Sequence, residues 1–137
     1  MKKTLGYLVL GLFVLIALPA CNIAEKYANN NKAATQWLDT NAGSATIDVT
    51  GRWHADNWGG GTLTQKGNKI TGTLGDYVAN GVVKGRTVYL TLSNDGWVYY
   101  TIMARPDSSG ALQGYSSESV PYSQVDEKTF SMVRSSL

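Results

Sequence analysis

From Thr46 to the C-terminus the chain alternates apolar and polar residues in short runs, and turn-forming residues break the pattern roughly every 8–12 positions. Ile47-Asp48-Val49 leads into Gly51-Arg52-Trp53-His54-Ala55-Asp56, a first strand with Val49, Trp53 and Ala55 on one face. Gly59-Gly60-Gly61 permits a reversal into Thr62-Leu63-Thr64-Gln65. Lys66-Gly67-Asn68, rich in residues that tolerate positive φ, then turns the chain into Lys69-Ile70-Thr71-Gly72-Thr73-Leu74. Val78 to Val83 reads as a fourth strand, Lys84-Gly85-Arg86 as its turn, and Thr87-Val88-Tyr89-Leu90-Thr91-Leu92 as a fifth. Asn94-Asp95-Gly96 is a strong hairpin signal ahead of the longest run, Trp97 to Arg105. Pro106-Asp107-Ser108-Ser109-Gly110 closes that run; Ala111 to Tyr115 makes a seventh strand and, after a looser loop through Pro121, Thr129 to Arg134 an eighth.

No helical stretch separates these strands, and parallel pairing needs a crossover of about a dozen residues or more. The expected fold is therefore all-β: an eight-stranded antiparallel up-and-down meander over residues 46–137, closing into a small barrel that leaves no exposed edge. An open two-sheet sandwich is the alternative. Val49, Trp53, Leu63, Ile70, Leu74, Val88, Leu90, Leu92, Leu112, Phe130 and Met132 form the expected inward set. Gly72, Gly81, Gly85 and Gly114 stand where close strand approach or a barrel bend wants no side chain.

The N-terminal part has a different texture. Lys2-Lys3, an apolar run from Leu5 to Leu18 and a small residue before Cys21 have the form of a secretory signal over residues 1–20. The run falls short of the ~20 apolar residues that cross a bilayer comfortably. An ordinary signal peptide, or a weak anchor with a stray cysteine, fits these residues too. Leu18-Pro19-Ala20-Cys21 resembles the bacterial lipobox, which implies that Cys21 is lipidated and becomes the N-terminus of an envelope lipoprotein held to a membrane. Asn22 follows it, not the Asp that resembles the inner-membrane retention signal of enteric bacteria, which implies the outer membrane in a Gram-negative cell. Residues 21–45 read as the lipidated cysteine and a tether, either a flexible spacer or one with a short frayed helix. Ile23, Tyr27, Ala34, Trp37 and Leu38 recur at roughly helical intervals, but Asn29-Asn30-Asn31 is poor helix material. Trp37-Leu38 has a second reading, docked on the domain or closing one of its ends.

Lys and Arg number 12 against 10 Asp and Glu, and Lys2 and Lys3 leave with the signal, so the remaining body balances at 10 against 10. That argues against nucleic acid as a partner and against polybasic attraction to lipid. Cys21 is the sole cysteine, so once it is lipidated no intramolecular disulfide forms.

Gly51-Arg52-Trp53 on the first strand, with Arg134 near the end of the last, resembles the signature of the calycin superfamily, which includes lipocalins and avidins. The resemblance implies that the Trp53 indole closes one end of the barrel under the Arg134 guanidinium, making Gly51, Trp53 and Arg134 a structural signature. It does not extend to biotin: avidins hold the ureido group with an Asn two residues and a Ser six residues after this Trp, where this chain has Ala55 and Gly59.

Catalytic signals are thin. His54 is the lone histidine and alternates away from Trp53, towards solvent. No nucleophile elbow, zinc-protease or phosphate-loop motif is present. Asp56, Asp76 and Asp95 stand at strand ends or turns, where Asp serves the backbone. The expectation is a non-enzymatic chain with no catalytic residues, no cofactor and no metal; a hydrolase using carboxylates at the barrel mouth is an alternative.

Aromatic residues are in surplus: Trp58, Tyr77, Trp97, Tyr99, Tyr100, Tyr115 and Tyr122 exceed what a small barrel must bury. In a meander the odd-numbered connections lie at one end. Trp58, Tyr77, Asn94, Asp95 and Trp97 therefore gather at one mouth as candidate binding residues, for a small apolar or glycan ligand or for another envelope protein. An inhibitor or immunity role against an enzyme or toxin is a further alternative. The opposing structural reading has the same aromatics folding back to cap the barrel.

Overall fold

The computed structural model describes residues 20–136. The leader read over residues 1–20 falls, but for its last residue, outside them, as does the side chain of Cys21. A helix, α1 (Ala20–Asn41), precedes eight strands: β1 (Gly51–Ala55), β2 (Gly59–Lys66), β3 (Lys69–Leu74), β4 (Tyr77–Lys84), β5 (Thr87–Asn94), β6 (Trp97–Pro106), β7 (Leu112–Ser117) and β8 (Lys128–Arg134). Each strand pairs antiparallel with the next, and β1 pairs with β8, so the sheet is a closed barrel and not a sandwich.

The strands alternate as period-two sequences should. In β3, Ile70 and Leu74 are buried while Lys69, Thr71 and Thr73 are exposed. The whole expected inward set is buried, joined by Ala55, Ala79, Val83, Ile102 and Ala104 in one contiguous cluster that fills the interior. Two glycines show why some positions stay bare. A Cβ on Gly72 would fall on the Thr62 carbonyl oxygen of the neighbouring strand. Gly51 has φ +148°, and a Cβ there would lie 2.7 Å from Nη1 of Arg134.

That arginine closes the barrel. Trp53 faces Arg134 in the β1–β8 register, and the guanidinium carbon lies 4.4 Å from the indole centroid. Arg134 also donates to the carbonyls of Thr50 (2.8 Å) and Asp48 (2.9 Å). The buried Trp53 donates Nε1–H to the Val49 carbonyl at 2.8 Å. The end around this cluster is sealed by residues 42–50, which bond to the turns there. Thr46 N–H donates to Gly85 O, Gly85 N–H to Ser44 O, and the Gln65 side chain reaches both Val49 N–H and Ile47 O.

The N-terminal segment differs most from the sequence reading. In place of a spacer or a short frayed helix it forms a 22-residue helix against the outer wall of β4, β5 and β6. Tertiary packing outweighs the low propensity of the Asn run, as it does for most protein helices. Tyr27 packs on Trp97 and Tyr99, with centroids 5.7 and 5.3 Å apart. Trp37 packs edge-on to Tyr89 and stacks parallel to Tyr122. Ala34 is buried between them at 3% exposure. Asn31, within the unfavourable run, accepts from Val98 N–H (2.9 Å) and donates to Gly96 O (2.7 Å).

Arg134→Ala removes the cation–π stack and two hydrogen bonds to the β1 approach, and should cost about 1–3 kcal/mol in urea unfolding. Gly51→Ala should destabilise less in the Arg134→Ala background than in the parent, because only the crowding against the guanidinium is relieved and the strained φ remains. Additive costs in the double-mutant cycle would show that the two residues do not share one site.

Candidate functional site

The connections β1–β2, β3–β4, β5–β6 and β7–β8 meet at the end opposite Arg134. Two of them interlock: Trp58 N–H donates to Ala55 O, Gly75 N–H donates to Gly60 O, and a Cβ on Gly75 would fall on the Trp58 carbonyl oxygen. This lock holds the Trp58 and Tyr77 rings 5.6 Å apart at 75°. Tyr100 of β6 completes the group, 4.6 Å from Trp58 and 5.5 Å from Tyr77, each at nearly a right angle. Such edge-to-face pairs add about 0.5–1.5 kcal/mol each beyond their buried area. All three rings are half-buried and pack on the core cluster, so the aromatics do cap the barrel. Their outer side floors an open cleft of about 450 Å³ walled by Asp76, Glu118, Asp126 and Lys128. Burial, then a hydrogen bond with Tyr100, pushes the Tyr77 phenol above its ordinary value, so it is a neutral donor at physiological pH.

The remaining candidates go elsewhere. Asn94 only touches the site, its amide 3.5 Å from the Asp76 carbonyl. Asp95 is the exposed apex of the β5–β6 turn, with φ +50°. Trp97 turns outward, away from Trp58 and Tyr77, to receive Tyr27 of α1. Tyr99 and Tyr122 likewise serve the helix, which accounts for much of the aromatic surplus. Tyr115, 46% exposed, lies on the outer wall and lines a larger trough of about 560 Å³ beside Gln113, Gly114 and Ser131. The trough is bigger and is lined by Trp58, Tyr115 and Phe130, but Asp56 is the one charged residue in its lining, whereas Asp76, Glu118, Asp126 and Lys128 meet three rings at the mouth cleft, which is the better candidate. Trp58 stands between the two.

Sequence reasoning counted Tyr100 among the surplus aromatics but did not place it at the mouth, and it missed the whole β7–β8 connection. The parity rule that gathered the first, third and fifth connections applies equally to the seventh, and would have brought Glu118, Asp126 and Lys128 to the mouth. Asp126 organises that loop. Its carboxylate accepts from Ser117 Oγ (2.6 Å), Ser119 Oγ (3.0 Å) and Glu118 N–H (3.1 Å). Ser119 O in turn accepts from the buried Thr101 hydroxyl. Lys128 pairs with Glu118 at 3.4 Å, exposed and so contributing at most ~1 kcal/mol. Among the described residues no group of three or more His, Cys, Asp or Glu is disposed to hold a metal ion.

The charge of residues 20–136, 10 Lys and Arg against 10 Asp and Glu, is also spatially sorted. The mouth connections and their margins carry Asp56, Asp76, Asp95, Glu118, Asp126 and Glu127 against Lys128. The opposite end carries Lys66, Lys69, Lys84, Arg86, Arg105 and Arg134 against Asp48 and Asp107. Comparison with known proteins adds no assignment: no protein-family model, no curated protein and no solved structure matches this chain.

The Ser117 hydroxyl, with Ser119 and Glu118 N–H, holds the Asp126 carboxyl below its ordinary value. A carboxyl depressed in the folded state stabilises the loop above the unfolded value of ~3.9 and loses that contribution as pH falls through the folded one. A carbon-detected NMR titration should place Asp126 below ~3.9. Asp126→Asn should raise amide exchange at Glu118 while leaving β2 and β3 protected. A normal Asp126 titration would remove the carboxylate from its organising role.

Proposed function

We propose that this chain is a lipid-anchored protein of the bacterial cell envelope, attached through Cys21, whose barrel is a non-enzymatic binding module working at the aromatic mouth. The observation that carries the reading is the pairing of a filled interior with an open cleft at the rim. An eight-stranded barrel has room for a small ligand only if its own side chains leave space. Here Leu63, Ile70, Leu90, Leu92, Ile102 and Met132 occupy that space, each at 1% exposure or less. Recognition is left to the surface formed by Trp58, Tyr77 and Tyr100 with the carboxylates around them. Half-buried Trp and Tyr offer large contact area at low entropic cost, and the flanking carboxylates add orientation.

The Trp53–Arg134 arrangement supports a calycin-like classification of the barrel, and the lipobox-like Leu18-Pro19-Ala20-Cys21 supports the anchor and an outer-membrane location. A protein partner, including an imported enzyme or toxin to be inhibited, is favoured by one further feature. Val125, at the tip of the β7–β8 connection and next to Asp126 of the cleft wall, is 97% exposed, and Val78, next to Tyr77 on β4, is 51% exposed. With the half-buried rings of Trp58, Tyr77 and Tyr100 they add to the apolar surface at the rim that a partner would cover.

Two variants at the cleft test the reading without opening the core: Trp58→Phe and Asp76→Asn. The full chain, purified in detergent and immobilised, should retain a specific component of envelope extract. Both variants should retain at least ~10-fold less, a loss of about 1.4 kcal/mol. A retained component indifferent to both substitutions would move the site away from the mouth. Separately, Cys21→Ser should abolish incorporation of a palmitate analogue and release the protein from the membrane fraction.

A further inference from the structure

We infer that α1 is a rigid strut that sets which end of the barrel faces the membrane: the acidic aromatic mouth stands towards the bilayer and the basic end away from it. The inference rests on Cys21 being the anchored residue, and goes beyond it by giving the anchored body an orientation.

The direction of the helix is fixed by contacts at both ends of the wall. Asn31 grips the β5–β6 turn, at the mouth, through Gly96 O and Val98 N–H. Just past the helix, Gly43 O accepts from Asn68 of the β2–β3 turn, and Gly43 lies against Lys84, both at the basic end. The ten residues from Asn31 to Asn41 rise about 15 Å, carrying the helix from the one set of contacts to the other. The helix N-terminus therefore points past the mouth. Tyr27 makes the last aromatic contact with the wall, on Trp97 and Tyr99. Asn22 to Lys26 are all exposed. From Tyr27 back to Cys21 the helix rises about 9 Å, so the anchor is carried beyond the rim and the mouth is the end nearer the lipid.

Charge alone would give the opposite result. An anionic leaflet attracts Lys66, Lys69, Lys84, Arg86 and Arg105 at the far end and repels the carboxylates of the mouth. A body on a flexible leash would turn its basic end down. The helix opposes this because its docking is distributed over Tyr27, Asn31, Ala34 and Trp37, and all must release together for the barrel to invert. The cleft at Trp58, Tyr77 and Tyr100 then receives its ligand from the layer next to the lipid headgroups.

Because acylation consumes the single native thiol, an introduced cysteine is the only one free to label. In the full lipidated chain, Val125→Cys would carry a fluorophore at the mouth and Ser108→Cys one at the basic end. The proteins are reconstituted in vesicles of zwitterionic and anionic phospholipid with a headgroup nitroxide quencher. Quenching should be several-fold stronger at position 125 than at 108, and should stay so at low salt. Inserting a Gly-Ser linker between Lys26 and Tyr27 should erase or reverse the difference. Equal or reversed quenching in the uninterrupted chain, on protein that floats with the vesicles, would overturn the strut alone. Protein that fails to float would overturn the lipid anchor and this inference with it.

Discussion

The barrel depends on the seam between β1 and β8, the shortest ladder in the sheet, with Trp53, His54 and Ala55 facing Arg134, Val133 and Met132. A meander without that seam would expose two unpaired edges, each a template for another chain. The seam is reinforced from one side chain. Arg134 covers the indole of Trp53 and bonds two carbonyls of the segment entering β1, binding the first strand to the last across more than eighty residues of sequence. Gly51 is bare because the guanidinium occupies the space its side chain would take. With no disulfide available, this polar clasp and the apolar cluster beside it carry closure together.

Closing and filling the barrel decides where recognition can occur. The interior is spent on packing, and one end is sealed by residues 42–50 with Trp53 beneath them. A cleft of about 410 Å³ with Arg86, Asp107 and Arg134 in its lining lies at that end too, but Trp53 is 1% exposed there, whereas the mouth presents three half-buried rings beside its charges. Its precision comes from backbone, since the β1–β2 and β3–β4 connections lock through Gly60, Gly75 and Trp58, and the β7–β8 connection is wound around a carboxylate. The helix braces the same end from outside. The mouth is thus held by three independent devices although it consists of turns.

Most of this architecture was legible because β-structure writes itself locally. Period-two alternation in Lys69 to Leu74, the Asn94-Asp95-Gly96 turn and the Gly51/Trp53/Arg134 set each specify geometry within or between short segments. The long helix was not legible, since its stability lies in contacts with Tyr89, Trp97, Tyr99 and Tyr122, sixty or more residues away from Tyr27 or some fifty from Trp37 onward. The same contacts explain the misplacement of Trp97. An outward aromatic on a strand reads as free surface until the element that covers it is known. Gly85 is a milder case: it turns with φ +60° in open space, where a close strand approach was one expectation. Within the site, Tyr100 was hidden because both faces of Trp97 to Ile102 are apolar enough to be inward.

The balance of charge over residues 20–136, 10 Lys and Arg against 10 Asp and Glu, does not make this body electrically silent. With carboxylates gathered at one end of the barrel and ammonium and guanidinium groups at the other, these residues carry a dipole along the barrel axis and no net charge. Such a field fades within a Debye length of about 8 Å at physiological ionic strength. Free copies approaching pole to pole attract, while copies standing parallel and shoulder to shoulder repel, so dilution of the surrounding salt strengthens both tendencies at once.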